Sequence, residues 1–442
     1  MDRMDKIKSR LLMLAVNAEK SNLPVLTRFV ESTTKVSGML RDECLSLSLA
    51  TEEIFLYLCK FVCPDKPLEV HCHNGIYYVR ISFSFSAKKL NLSGLNIVGA
   101  GIRDPEEDIG AIGLLIASRS VDHLDVKVEE NNRILLSVTK EKSYPAYEEK
   151  HPVPGQAENL VTETPDTAKL KVFAAMTSQY YKSPYIPSFF SYPGKLVDMV
   201  QSGEYIAFVS LNEKREVAGG IVLNFWSEKI LQMYGPYGFV KAREREIGEA
   251  LLNACLVRLA RTKAIGLFSI WGLPEALQNH FENLGTLSFY LDGKLRTDVA
   301  PFYRLLHEDP GLEVWCASSL RDYLERQYRQ LALARMIKTS LHMGETISGA
   351  SLFSTEMHRN QSVVILRPLL AGNDYEENIE RHLRFLLDDH FVNIYVELDV
   401  GIPWHAGLTD PLLANGLQPV FIMPFAGKAD LVIFKYYDKT KS

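Results

Sequence analysis

The chain has no long apolar run, no strongly basic stretch and few cysteines, and each shortage removes a class of function. The longest apolar stretch, "IGAIGLLIA" from Ile109 to Ala117, falls well short of the ~20 residues that a bilayer span needs and is bracketed by Asp108 and Arg119. No membrane span is expected. Basic side chains number 49 against 54 acidic ones, a net charge of −5, so there is no electrostatic footprint for a nucleic-acid backbone or an anionic lipid surface. The opening "MDRMDKIKSRLLMLAVNAEK" has a short apolar run, Leu11 to Val16, without a small-residue cleavage site, so no secretory signal is expected and the cytoplasm is the expected compartment. Six cysteines in 442 residues do not make a disulfide framework. Cys59, Cys63, His71, Cys72 and His73 share one stretch. Their spacing departs from compact zinc knuckles, and neighbours along a strand point to opposite faces, so buried free thiols and no metal site are expected.

What is present is ordinary globular material: 47% hydrophobic and 23% charged residues. At roughly 150 residues per domain the length suggests about three units. The stretch "SYPAYEEKHPVPGQAENLVTETPDTAK", residues 143–169, lacks apolar periodicity and reads as a linker. Before it, two helix patterns, the alternating strands "LEVHCH" and "IYYVRISFSFS", a helix over 108–121 and the strand "RILLSVTKE" imply an α/β sandwich over residues 1–142. After it, "EYIAFVSL", "EVAGGIVLNFW" and "ILQMYGPYGF" read as successive strands, followed by a helix from about Glu246, the strand "AIGLFSIWG" and the short helix "LPEALQNHFENLG". This mixed α/β unit covers 170–310, and a weaker echo of the same order covers 311–442, beginning with a long helix "SLRDYLERQYRQLALARMIKTS". The expected fold class is α/β (α+β) throughout.

"LTRFVESTTKVSGMLRDECLSLSLATEEIFLYLCKF", "DIGAIGLLIASRSVDHL" and "ENNRILLSVTKE" resemble the anti-sigma-factor serine kinases, a branch of the GHKL ATPases. The resemblance implies an ATP site with Glu53 as general base for phosphoryl transfer. It also puts Tyr57 where the family's magnesium-binding Asn stands, and Ala111, Gly113 and Leu114 in its phosphate-cradling turn. A phenol is a poor ligand for a hard cation, and only the second glycine of the turn is kept, so the nucleotide site departs from the pattern at its ligand positions. No Asp occurs between Asp65 and Asp104, where the family reads adenine.

The middle unit, with "AREREIGEALL" and "HFENLG", resembles the GNAT acyltransferases, which open their main helix with an arginine- and glycine-rich turn that holds the pyrophosphate of acyl-CoA. In one register Arg243, Gly248 and Ala250 match and Glu244 and Glu246 occupy glycine positions; in another, Arg245, Gly248 and Ala250 satisfy a looser pattern. In both, carboxylates stand where the anion would sit. The position of the family's general-acid Tyr is Phe281, with Tyr234 and Tyr237 as nearby substitutes. The last unit, through "LAGNDYEENIERHL" and "PLLANGLQPVFIMPF", also looks like a GNAT domain but lacks the arginine–glycine turn; its "IPWHAG" places Trp404 and His405 in a loop, the His satisfied rather than catalytic.

The expectation is a bacterial regulatory protein that works mainly by protein–protein interaction, its partner in a sigma-factor pathway or a similar one. It would combine a degenerate ATP-binding-like domain with tandem GNAT-like domains. The alternative is an acetyl-CoA-dependent N-acyltransferase regulated by the N-terminal unit, and the least supported reading is an active serine kinase. The cofactors in question are ATP for the first unit and acetyl-CoA for the second.

Overall fold

The computed structural model describes residues 10–62, 67–86, 92–98, 105–128, 133–147, 149–155, 159–181, 186–291, 295–339 and 349–437. The N-terminal unit comprises β1 (Arg10–Val16), α1 (Leu23–Val36), α2 (Arg41–Leu58), β2 (Leu68–Asn74), β3 (Tyr78–Ser86), α3 (Pro105–Ser120), β4 (His123–Val128) and β5 (Arg133–Glu141). Its strands form one antiparallel sheet in the order β1-β2-β3-β5-β4. Alternation decides the buried face: Leu68, Val70 and Cys72 of β2 join Ile81, Phe83, Leu136 and Val138 against Leu47, Ile54, Phe55 and Leu58 of α2. The Glu43 carboxylate caps the start of α2 by accepting the Leu40 N–H at 2.7 Å, and it also accepts the Ser143 N–H at 2.6 Å where the unit ends.

Of the proline-rich stretch 143–169, residues 143–147 and 149–155 are irregular but anchored, whereas Val161–Glu163 forms a strand and Thr167 begins a helix. Tyr144 donates its hydroxyl to Asp198 at 2.6 Å, the Tyr147 N–H bonds Ser191 O, and Tyr180 donates to His151 O at 2.8 Å. Two side-chain hydrogen bonds and one backbone bond, which composition does not reveal, thus hold this part of the stretch against the next unit.

The middle unit comprises β6 (Val161–Glu163), α4 (Thr167–Tyr180), α5 (Pro193–Gln201), β7 (Tyr205–Leu211), β8 (Val217–Phe225), β9 (Ile230–Gly238), α6 (Glu244–Leu259), β10 (Gly266–Ser269), α7 (Glu275–Gln278), β11 (Glu282–Asn283), β12 (Leu287–Leu291), β13 (Leu295–Val299) and β14 (Phe302–Leu305). The C-terminal unit comprises β15 (Leu312–Cys316), α8 (Ser318–Gln330), β16 (Arg335–Thr339), β17 (Leu352–His358), β18 (Val363–Leu370), α9 (Tyr375–Asp388), β19 (Asn393–Asp399), α10 (Thr409–Ala414), β20 (Leu417–Met423) and β21 (Leu431–Tyr436). Their main sheets run β11-β14-β10-β9-β8-β7-β6 and β17-β18-β19-β21-β20. Five strands correspond one to one, because β8-β9-β10-β14-β11 and β17-β18-β19-β21-β20 both contain a single parallel pair, β9 with β10 and β18 with β19. A helix crosses over within each parallel pair, α6 in one and α9 in the other.

Two helices are shorter than their patterns predict. The one read over Ser319–Ser340 stops at Gln330: the Leu333 N–H bonds back to Tyr328 O, Ala332 takes φ 51°, and the chain then pairs as β16 with β15. The one read across "LPEALQNHFENLG" ends at Gln278, and Glu282–Asn283 forms the edge strand β11.

The units share cores. Leu352 and Leu370 of the C-terminal unit belong to the N-terminal core. Buried Asn96 bridges the same units, donating to Ser351 O and accepting the Phe353 N–H, both at 2.9 Å. The β12–β13 hairpin docks on the C-terminal sheet, with the Asn393 amide bonded to Tyr290 N and O.

Candidate functional site: two closed clefts and a junction cavity

In the N-terminal unit, Glu53 on α2 lies against Gly113 on α3, where a methyl group on Gly113 would overlap its carboxylate. Tyr57 is buried and its ring packs on Phe61 at 4.8 Å; Leu114 is fully buried. Ala111 and Gly113 lie inside α3, so their N–H groups belong to the helix ladder and not to a phosphate-binding turn at its start. Tyr57 in the core and a helical 111–114 do not fit ATP with a magnesium ion. Among the described residues no group of His, Cys, Asp and Glu is placed to hold a metal.

In the middle unit β9 pairs with β10 only over Ile230–Gln232, so Met233–Gly238 diverges from β10. A bulge deepens the split: Ile221 of β8 faces both Gly235 and Pro236, a device that bends the bulged strand. A split of this kind leaves a strand edge free to bind an amide-bearing ligand. Here the edge is used. Pro236 has no N–H, and the Tyr181 hydroxyl occupies Gly238, accepting its N–H at 3.0 Å and donating to its carbonyl at 2.8 Å. Tyr181 is fixed there by edge-on packing against Tyr237 at 4.9 Å.

At the start of α6 two basic side chains are already paired. A short 3-10 turn over Lys241–Arg243 spends two backbone donors, Arg243 N–H on Val240 O and Glu244 N–H on Lys241 O. Arg243 pairs with Glu246 and Arg245 with Glu249, each at 2.8 Å. Gly248 is buried against Leu277, which gives the small residue a packing reason, and Ala250 is half-buried. Phe281 is buried in the core beside α6. Burial raises the phenols of Tyr234 and Tyr237 well above their ordinary range, and Tyr234 donates to Gln232 at 2.9 Å. These residues do not fit a pyrophosphate-bearing cofactor.

The second copy is closed by a different route. The turn into α9 contains Gly372, whose missing side chain makes room for the backbone of Ala350 and Ser351. The Asp374 carboxylate accepts the Ser351 N–H, and Asn378 donates to Ser351 O and Oγ. His405 is buried: its Nδ1 accepts the Asp399 N–H, and burial lowers the imidazole to about 3, so it is neutral.

Where the three units meet lies a cavity of about 1210 Å³. Gln232, Tyr234 and Trp271 come from the middle unit, Arg367, Tyr395 and Glu397 from the C-terminal one, and Tyr78, His123 and Glu141 from the N-terminal sheet. Both splayed strand pairs therefore turn one face toward the same space. Arg367 and Glu397 stand in register one step beyond the last paired residues, Leu366 and Val396, and link the diverging strands through side chains at 2.6 Å. Arg367 also bonds Glu356 at 2.6 Å, whose other oxygen faces His358 at 3.0 Å. Burial acts to raise the Glu356 carboxyl, but the His358 hydrogen bond and the Arg367 charge hold it well below the usual range. Glu141 is engaged by His123 at 3.3 Å and by Lys195 of α5 at 2.6 Å; burial opposes its ionisation, and these partners still hold it down at about 2.

The cavity residues are not recoverable from local pattern, because strands far apart in sequence supply them. A signal was available in two places: Arg367 interrupts the apolar run "VVILRPLL" and Glu397 interrupts "NIYVELDV", and charges inside apolar strands need partners.

No protein-family model and no curated protein matches the sequence. Solved structures similar to part of it include an N-acetyltransferase from Staphylococcus aureus Mu50, at 16% identity over 34% of this chain and 100% of that one, TM-score 0.29. They also include the aminoglycoside 6'-N-acetyltransferase from Enterococcus faecium, at 13% identity over 34% and 99%, TM-score 0.27. A third is the GNAT-superfamily phosphinothricin acetyltransferase from Sinorhizobium meliloti in complex with AcCoA, at 19% over 34% and 90%, TM-score 0.29.

Proposed function

We propose that this chain is a regulatory binding protein on an acyltransferase-like scaffold, not a working acyltransferase or kinase. Its ligand site is the junction cavity, and its N-terminal unit carries the response to a protein partner. The observation that carries this reading is the Tyr181 hydroxyl, which donates to and accepts from Gly238 on the edge where a bound acyl-CoA arm would pair. Displacing it forfeits two hydrogen bonds worth about 1 kcal/mol each. Glu244 and Glu246 add repulsion of order 1 to 4 kcal/mol per carboxylate at ~4 Å from a phosphate. The cavity reading is supported by its walls: all three units contribute charged side chains to it, so occupancy would be felt in each.

The test is release of free thiol from acetyl-CoA by the purified protein with a panel of primary amines. No release above the uncatalysed rate is expected. Turnover that disappears in Tyr234→Phe would overturn the reading in favour of an N-acyltransferase.

A further inference from the structure

Resting on the reading of the junction cavity as a ligand site, we propose that its occupant is an organic cation with an aromatic body. Three independent features of the wall point to that chemistry.

The first is an unspent polar group. Tyr395 is 5% exposed, lines the cavity, and its hydroxyl has no hydrogen-bond partner among the described residues. A buried hydroxyl left unpaired costs about 1 to 3 kcal/mol, which a ligand would recover.

The second is charge. On the wall formed by β17, β18 and β19, the carboxylates of Glu356 and Glu397 share the single guanidinium of Arg367. That cluster sets two carboxylates against one guanidinium, with the His358 imidazole beside Glu356. Glu204 also lines the cavity: it accepts the Tyr77 and Tyr78 hydroxyls at 2.7 and 2.8 Å and makes no ion pair among the described residues, while the Arg80 guanidinium lies 5.2 Å over the Tyr78 ring. An anionic ligand would meet these groups as repulsion, and a neutral one would leave the excess uncompensated.

The third is aromatic surface. Trp271 stacks on Phe289 at 5.9 Å, and Phe289 reaches Tyr395 at 6.0 Å, so a continuous run of rings leads to the unpaired hydroxyl. Ring faces attract a desolvated cation within about 6 Å and pack against an aromatic body at the same time. One molecule with a charged head near Glu397 and a ring on Trp271 satisfies all three.

The probe is benzyltrimethylammonium, compared with benzyl alcohol and phenylacetate and read by tryptophan fluorescence, since Trp226 and Trp271 line the cavity. Saturable quenching is expected from the cation, at least tenfold weaker from the alcohol and none from phenylacetate. Glu397→Gln should weaken the cation about tenfold, with Glu356→Gln as a second variant should the first fail to fold. Tyr395→Phe should weaken it less while leaving the far-ultraviolet spectrum unchanged. Equal or tighter binding of phenylacetate or the alcohol, lost in Tyr395→Phe, overturns the cation assignment while leaving the cavity a ligand site. Quenching by none of the three overturns the assignment outright. Neither result touches the thiol-release test.

Discussion

The Arg335 side chain carries a doubly paired charge. Fully buried, it bonds Asp309 and Asp430, each through both carboxylate oxygens, and it lies over the Phe425 ring at 4.6 Å. Removing it strands two buried carboxylates, so Arg335→Met is expected to cost about 3 to 5 kcal/mol in urea unfolding. Two imidazoles set the acid side of stability. Burial lowers His382 to about 4 and His405 to about 3, against an ordinary 6.5. Because the folded values lie below the unfolded ones, their contribution is complete above pH 6.5 and is lost as pH falls toward 4 and 3. By pH 5 each should have removed roughly 2 kcal/mol, and His382→Leu should remove about half of the slope between pH 7.5 and 5 in denaturant midpoints. Glu141, held at about 2 from an ordinary 4.5, steepens the loss only below pH 4.5. At this scale the sequence was a partial guide. Glu244 and Glu246 stand out in the sequence as carboxylates at the start of a helix, but Tyr181, which takes the strand edge, has no local signature, because its role depends on a bulge in a strand 50-odd positions away.

Elements with clear local signals were legible: β7, β8 and β9 fall where apolar runs between turn signals put them, and α9 follows its apolar stripe through Ile379, Leu383 and Leu386. Legibility failed where pairing overrode periodicity, as where α8 stops and its expected continuation joins β15 instead. The glycines at element junctions separate two kinds of close approach. Gly372 meets the backbone of Ala350 and Ser351, which cannot yield locally, whereas Gly113 meets the movable carboxylate of Glu53. Gly372→Ala should therefore cost more than 2 kcal/mol and loosen the start of β17, while Gly113→Ala should cost less than about 1 kcal/mol, both read by chemical denaturation.

Across the whole molecule, specific contacts join the three units. Asn96 is the clearest: its amide completes two backbone hydrogen bonds of the C-terminal unit from the N-terminal one. Asn96→Ala should cost about 1 to 3 kcal/mol and speed amide exchange at Phe353 without changing exchange in β9. The junction cavity depends on the same docking, which is why no single stretch of sequence announces it. The central claim of the proposal, that the strand edge at Gly238 is taken by Tyr181 and not left for acetyl-CoA, is tested most directly by calorimetric titration with acetyl-CoA. The account predicts no binding heat up to about 1 mM ligand, whereas micromolar binding that is lost in Arg245→Ala would contradict it.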